Sequence, residues 1–282
     1  MGSSGVGWVS ETIFGFVWNL LATFVAFYLL YRLTTMLFPG TTVPKKVATL
    51  LAFYPSSFFL TVIYPEATAL LLITAAILLL ETHHVASAAA CGFLVGLTRP
   101  EGFLLFIPFM IKGIESKSRK LIAGSVAVLA SLPVFLFYAF VRTGNLLLPI
   151  IMEQQWVKST LVDVLSGNSG FTMVSPQVNN LTILLNITTL TIAAGFMIHA
   201  SRRHRITDRI RPYYLWAWCL LILVFLLGEV HSWARFTLVL FPITWSEAST
   251  LEHSRRFWIL VSIYTAMLVA DAFLFTNWYP ML

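Results

Sequence analysis

Apolar runs of roughly bilayer-spanning length, separated by short basic connections, constrain this chain more than any other feature. They fall at 12–31, 47–63, 67–80, 85–97, 103–111, 121–141, 181–200, 213–228, 236–245 and 257–275. A helix needs about 20 apolar residues to cross the hydrocarbon core. Several of these runs are shorter, 103–111 and 236–245 most of all, and read as half-helices. The expectation is an all-α, polytopic transmembrane helical bundle with about 9–10 membrane segments, forming one integral membrane domain over 1–282. Composition agrees: 58% of residues are hydrophobic and 11% charged, against about 25% charged in a soluble domain. Cys91 and Cys219 both sit in apolar runs, so no disulfide framework is expected.

The net charge of +6 does not point to nucleic acid, because the basic residues are confined to connections. Arg32, Lys45 and Lys46 follow the first run, and Lys112, Lys117, Arg119 and Lys120 the fifth. Arg202, Arg203, Arg205, Arg209 and Arg211 follow the seventh, and Arg255 and Arg256 the ninth. All fourteen, of 18 Lys and Arg in the chain, fall in connections that alternate to one side. By the positive-inside rule that side is cytoplasmic. Both termini are then outside, as is the long connection 142–180, in which 149–165 reads as an amphipathic helix lying on the membrane. Residues 1–11 lack the basic n-region of a secretory signal. A multi-pass protein of the cell membrane is expected, or of the endoplasmic reticulum if the source is eukaryotic.

The outer side collects the residues that could do chemistry. Tyr64-Pro65-Glu66 follows Phe53-Tyr54-Pro55-Ser56-Ser57-Phe58-Phe59, and two prolines there break the helix near the outer surface. Thr98-Arg99-Pro100-Glu101-Gly102 interrupts an apolar tract too short for two full crossings. An arginine at membrane depth is costly without a partner or a watery cavity, and is a functional candidate for that reason. An Arg99–Glu66 or Arg99–Glu101 pair that only ties helix ends is the plainer alternative. Gln154 and Trp156 lie on the amphipathic helix, and Trp156 equally suits an interface anchor. His231 could act as a base near neutral pH or make an ordinary polar contact. The Arg235 guanidinium suits an oxyanion held by two hydrogen bonds, and snorkelling explains it about as well. The histidines lack metal-ligand spacing, so neither a metal nor any other cofactor is expected.

Together these motifs resemble a family. The tract 53–66 is similar to the FPS-FF…Y-E-LF signature of the GPI-anchor second-mannosyltransferase family (phosphatidylinositol-glycan class V) and its prokaryotic relatives. Residues 92–102 resemble its G-L…TRP-G stretch. The segment 142–156 is similar to its GD…Q-W loop, with Asn145 in place of Asp. Residues 232–242 resemble its S-P-R-L-FP stretch, with Ala234 in place of Pro. The resemblance implies a glycosyltransferase of the C-type superfamily, using a polyprenyl-phosphate sugar donor and a glycolipid or glycan acceptor at the extracytoplasmic face among membrane lipids. It implies that Glu66, Arg99, Gln154 and Arg235 belong to the site region, with Arg99 and Arg235 binding the donor phosphate. Beside it, Glu66 and Glu101 are the candidate catalytic carboxylates, and Tyr64, Gln154, Trp156 and His231 the candidate substrate contacts. The family's first helix and acidic first loop have no counterpart, Glu11 being the only acid near the start. That departure points to an N-terminally incomplete sequence or a non-catalytic relative. Two other classes stay open: a transporter or flippase for a lipid-linked or anionic solute, and a non-catalytic membrane subunit. A transporter should carry ionisable residues in broken helices at mid-membrane, where the sequence offers Asp271.

In a chain with Cys91 and Cys219 replaced, a cysteine at Ser169 should label with a membrane-impermeant maleimide in intact cells, and one at Ser118 should not. Labelling at Ser118 alone, or equally at both, would reverse or remove the assigned sidedness.

Overall fold

The computed structural model describes residues 4–146, 148, 176–202, 207–227, 232–251 and 254–277, and among them every regular element is helical. The amphipathic helix expected at 149–165 lies outside these residues. Four stretches have the length and apolar composition to cross a membrane: Glu11–Leu37, Arg119–Thr143, Leu181–Arg202 and Ser254–Thr276. Only 22% to 33% of their most apolar windows is buried inside the protein. The faces left outside carry Phe14, Phe24, Phe137, Val269 and Phe273, each more than 60% exposed. Water does not tolerate such a belt, whereas lipid does.

The first long helix, α1 (Ser4–Leu37), packs along α3 (Glu66–Glu81). Between them α2 (Val43–Ala52) stops before Pro55, and a 3-10 turn (Ser57–Leu60) leads to the Tyr64-Pro65 corner. The run 47–63 is therefore a broken helix, as its prolines led one to expect. α4 (Val85–Thr98) lies against α3, and a 3-10 segment (Pro100–Leu105) joins it to α5 (Phe106–Glu115). The run 121–141 divides at Ala130 into α6 (Arg119–Leu129) and α7 (Ser131–Thr143). Pro133 explains the break, since it has no N–H to offer the preceding turn. Then come α8 (Pro176–Arg202) and α9 (Arg211–Leu227). The run 236–245 becomes two short helices, α10 (Trp233–Leu238) and α11 (Phe241–Thr250), before α12 (Ser254–Thr276). Among the described residues, the runs thus resolve into three full-length helices, a fourth spanning stretch divided at Ala130, and a set of shorter helices fitted between them.

Hydrogen bonds and ion pairs sort the connections to the two ends of the bundle. At one end Glu81 takes Lys112 at 2.7 Å, Arg209 at 3.0 Å and the Tyr213 hydroxyl at 2.5 Å. Arg209 also reaches the Met36 carbonyl, Arg211 meets Glu115 at 2.6 Å, and Lys46 donates to the Leu251 carbonyl at 2.7 Å. The basic connections therefore gather at the Glu81 end. At the other end Asn19 of α1 donates to the carbonyls of Val62 and Tyr64, and Thr23 donates to that of Leu60.

Two glycines set the packing of the Arg99 corner. A Cβ at Gly96 would sit 1.9 Å from Ser131 Oγ, and one at Gly102 would sit 2.4 Å from Val95 Cγ1 and 2.8 Å from the Val95 carbonyl. Only glycine lets α4 meet α7 and the chain fold back beneath α4. Gly96→Val should therefore lower the unfolding temperature in detergent or abolish the monodisperse peak, at a cost of about 1–3 kcal/mol or more. Gly195→Ala, which meets nothing within 4 Å, should behave as wild type.

Candidate functional site

The Arg99 corner is built by Pro100. A residue before proline is driven out of the helical region, and Arg99 is extended at φ −141°, ψ 118°. That ends α4 and turns the side chain away from the helix axis towards α3. Its Nη1 lies 3.3 Å from Glu66 Oε1 and its Nε 2.5 Å from Glu101 Oε1. Pro65 starts α3 at Glu66, where a carboxylate also meets the positive end of the helix dipole. The third arm comes from α10, whose Arg235 brings Nε to 3.3 Å from the same Glu66 oxygen.

Glu66, Arg99 and Arg235 thus meet, although Arg99 lies 33 positions after Glu66 and Arg235 a further 136. Glu66 is 1% exposed and Arg99 6%. Two guanidiniums share one carboxylate oxygen, and the other, Oε2, is buried with no hydrogen-bond partner. Arg235 is held less completely. Its Nε lies off the hydrogen-bond direction from Glu66 and has no partner. Its guanidinium instead faces the rings of Phe59, Tyr64 and Phe236 at 5.6–5.8 Å, and Arg99 stacks over Phe236 at 4.7 Å. Such ring faces attract cations most strongly where water is excluded.

Tyr64 is half-buried beside this pair and packs edge-on against Phe59 and Phe275. Burial pushes its phenol above the ordinary 10.0; Arg235 pulls it down and Glu66 pushes it up. The hydroxyl keeps its proton near neutral pH and can donate it in a hydrogen bond. Glu101 stands in the first turn of the 3-10 segment, bound to Arg99. The other expected contacts, Gln154, Trp156 and His231, lie outside the described residues. Among the described residues no cluster of three or more His, Cys, Asp or Glu forms a metal site. An apolar groove of about 680 Å³ opens between α4 and α6, lined by Ala89, Phe93, Lys120 and Gly124 among others, and includes none of the site residues.

Compared with protein families, curated proteins and solved structures, the chain matches none.

The structure also brings forward residues that the sequence reading passed over. Asn19 anchors the Tyr64 corner, and Asn186 of α8 accepts the Ala234 N–H at 2.7 Å, fixing the start of α10. Glu247 of α11 is wholly buried, with Oε2 lacking any partner; both oxygens of Asp271, which the sequence already set within the last span, are in the same state. Asparagines inside apolar runs were the available signal for the first pair. Glu247 gave less warning, because it lies just beyond the apolar run that ends at Trp245.

Glu66→Ala would leave the buried Arg99 and the partly buried Arg235 guanidiniums facing each other and should destabilise the protein by about 3 kcal/mol. Adding Arg235→Ala to Glu66→Ala should recover part of that loss in the same detergent unfolding assay. Losses that simply add would show that the two side chains do not interact.

Proposed function

We propose that the protein is an integral-membrane glycosyltransferase that takes a hexose, mannose first among candidates, from a polyprenyl-phosphate donor at the Glu66 end of the bundle. That end faces away from the cytoplasm in this reading, since the basic connections gather at the other. The observation that carries the proposal is the pairing of incompletely engaged groups: a guanidinium at Arg235 without a hydrogen bond beside a carboxylate oxygen of Glu66 without one. A donor phosphate would use the first and an acceptor hydroxyl the second.

The chemistry follows from those two groups. The acceptor oxygen attacks the anomeric carbon, and the bond from that carbon to the phosphate oxygen breaks, leaving its electron pair on the phosphate. Arg235 offsets the charge that develops there, with the Tyr64 hydroxyl near enough to donate as well. The acceptor's proton passes to Glu66 Oε2, a transfer worth about 10²–10⁴-fold when well placed. Attack opposite the leaving phosphate inverts the anomeric centre. Arg99 holds Glu66 Oε1 so that Oε2 points to the acceptor, and Glu101 in turn holds Arg99. The rings of Phe59, Tyr64 and Phe236 keep water from the site.

A second reading, a transporter or flippase for a lipid-linked or anionic solute, draws on a different observation. Glu247 and Asp271 are fully buried carboxylates in the apolar bundle, and Glu247 stands on a half-helix, the kind of placement that marks ion-coupled carriers.

Purified protein should bind radiolabelled polyprenyl-phosphate mannose, and Arg235→Ala should weaken that binding at least tenfold. Arg235→Lys should recover little of it, since an ammonium lacks the planar fork. Any transfer to lipid acceptors should fall by about 10²-fold or more in Glu66→Gln with donor binding retained. No donor binding by wild type, together with movement of a lipid-linked sugar across proteoliposomes, would exchange the first reading for the second.

A further inference from the structure

Glu247 sits one turn from the end of α11, a ten-residue half-helix that follows the Val239–Leu240 break and begins with Phe241-Pro242. It is 0% exposed. Its Oε1 takes the hydroxyl of Tyr264 from α12, and its Oε2 has no partner. Thr250 stands three positions on, on the same side of the helix, and its Oγ1 is also buried and unpartnered. No Lys, Arg or His nitrogen lies within 4.0 Å of the carboxylate among the described residues. Lys46, the nearby cation by position, has its ammonium on the Leu251 carbonyl and over the Phe257 ring.

An unpaired carboxylate in such a place is unfavourable twice over. Removing the charge from water costs far more than one hydrogen bond returns. The last turn of a helix also presents carbonyl oxygens and the negative end of the dipole, which repel an anion and attract a cation. Oxygens of a carboxylate, a hydroxyl, a phenol and a helix C-terminus form a hard, oxygen-only set, and half-helix C-terminal ends in membrane carriers hold small monovalent cations in this way. We propose that Glu247 Oε2, Thr250 Oγ1 and the C-terminal turn of α11 form a site for one small monovalent cation, either an alkali ion or a proton.

The site is linked to the Arg235 cluster. The ring of Tyr264 meets that of Tyr54 edge-on at 5.3 Å, and the Tyr54 hydroxyl donates to Thr237 Oγ1 at 2.9 Å. Thr237 and Ser56 both donate to the carbonyl of Ala234, which precedes Arg235. Occupancy at Glu247 is thereby coupled to the position of α10, whatever the Arg235 site binds.

Among the described residues, Tyr54 and Tyr264 lie beside Glu247, and the helices packed on α11 also carry Lys45, Lys46, His199, Arg202, Arg211, Tyr213 and Tyr214. Of these only His199 ordinarily titrates between pH 5 and 8, so the test carries a His199→Gln control. The unfolding temperature of the full chain in detergent is followed by tryptophan fluorescence. Sodium and potassium chloride are varied at constant ionic strength against choline chloride, at acid, neutral and alkaline pH. An alkali occupant should give a saturable rise of a few degrees, lost in Glu247→Gln and weakened in Thr250→Val. A proton occupant should give a rise on acidification with no alkali dependence, again lost in Glu247→Gln and kept in His199→Gln. Should Glu247→Gln fail to fold, retention of radioactive sodium and the shift of its midpoint, or of the acid midpoint, in Tyr264→Phe decide instead. Dependences that are equal in wild type and Glu247→Gln, or absent from wild type, would overturn the proposal. None of these measurements involves a sugar donor, so this result and the donor-binding result fail separately.

Discussion

Charge placed where water is scarce must find a partner, and the long-range ion pairs of this bundle follow from that rule. Glu81 and Glu66 stand at opposite ends of the same sixteen-residue helix, α3. Each draws together elements far apart in sequence. Glu81 gathers α5, the turn before α9, and α9 itself; Glu66 gathers the Arg99 corner and α10. The two differ in completeness. Every contact at Glu81 is a short hydrogen bond or ion pair, as a structural clamp requires. At Glu66 one oxygen and one guanidinium nitrogen are left unmet in a nearly dry setting. Buried polar groups are rarely left so, and the difference between the two ends is what separates a fastening from a site.

The helical class and the Arg99–Glu66 contact were legible in the sequence for one shared reason. Both rest on the expense of polar groups in an apolar medium, which can be priced from composition alone. Arg99 stood out because Pro100 fixes its backbone and because two truncated runs flank it. The interruption after Ala52 was marked by Pro55. The division of 121–141 was less visible, since Pro133 falls inside a run whose average hydropathy is that of an unbroken span. Glu247 was missed because hydropathy ended the run at Trp245, whereas the helix continues to Thr250. A sliding average cannot distinguish a carboxylate outside a span from one buried in a half-helix. Only neighbours such as Tyr264, seventeen positions away, decide that.

The lipid-facing surface adds a constraint on how the site can work. α1 and α12 turn bulky apolar side chains outward along much of their length, while α10 and α11 are enclosed by their neighbours. A ligand with a long hydrocarbon tail could leave that tail in the bilayer and present only its polar head to Arg235. Affinity would then depend on the few polar contacts, because the tail moves between two similar apolar media.

The shortness of α10 and α11 has a consequence for how the chain is made. Neither helix is long enough to span the membrane, and each carries a residue, Arg235 or Glu247, whose insertion at the centre of an isolated helix costs about 2.5–3.5 kcal/mol. They cannot partition into lipid one by one as the long helices can. α10 needs α8 already in place, because Asn186 caps its first turn at Ala234, and α11 needs α12, because Tyr264 supplies the hydroxyl to Glu247. A nascent chain interrupted before α12 would therefore leave 233–250 waiting at the membrane surface, exposed to quality-control proteases, until its last helix emerged from the ribosome and drew them in.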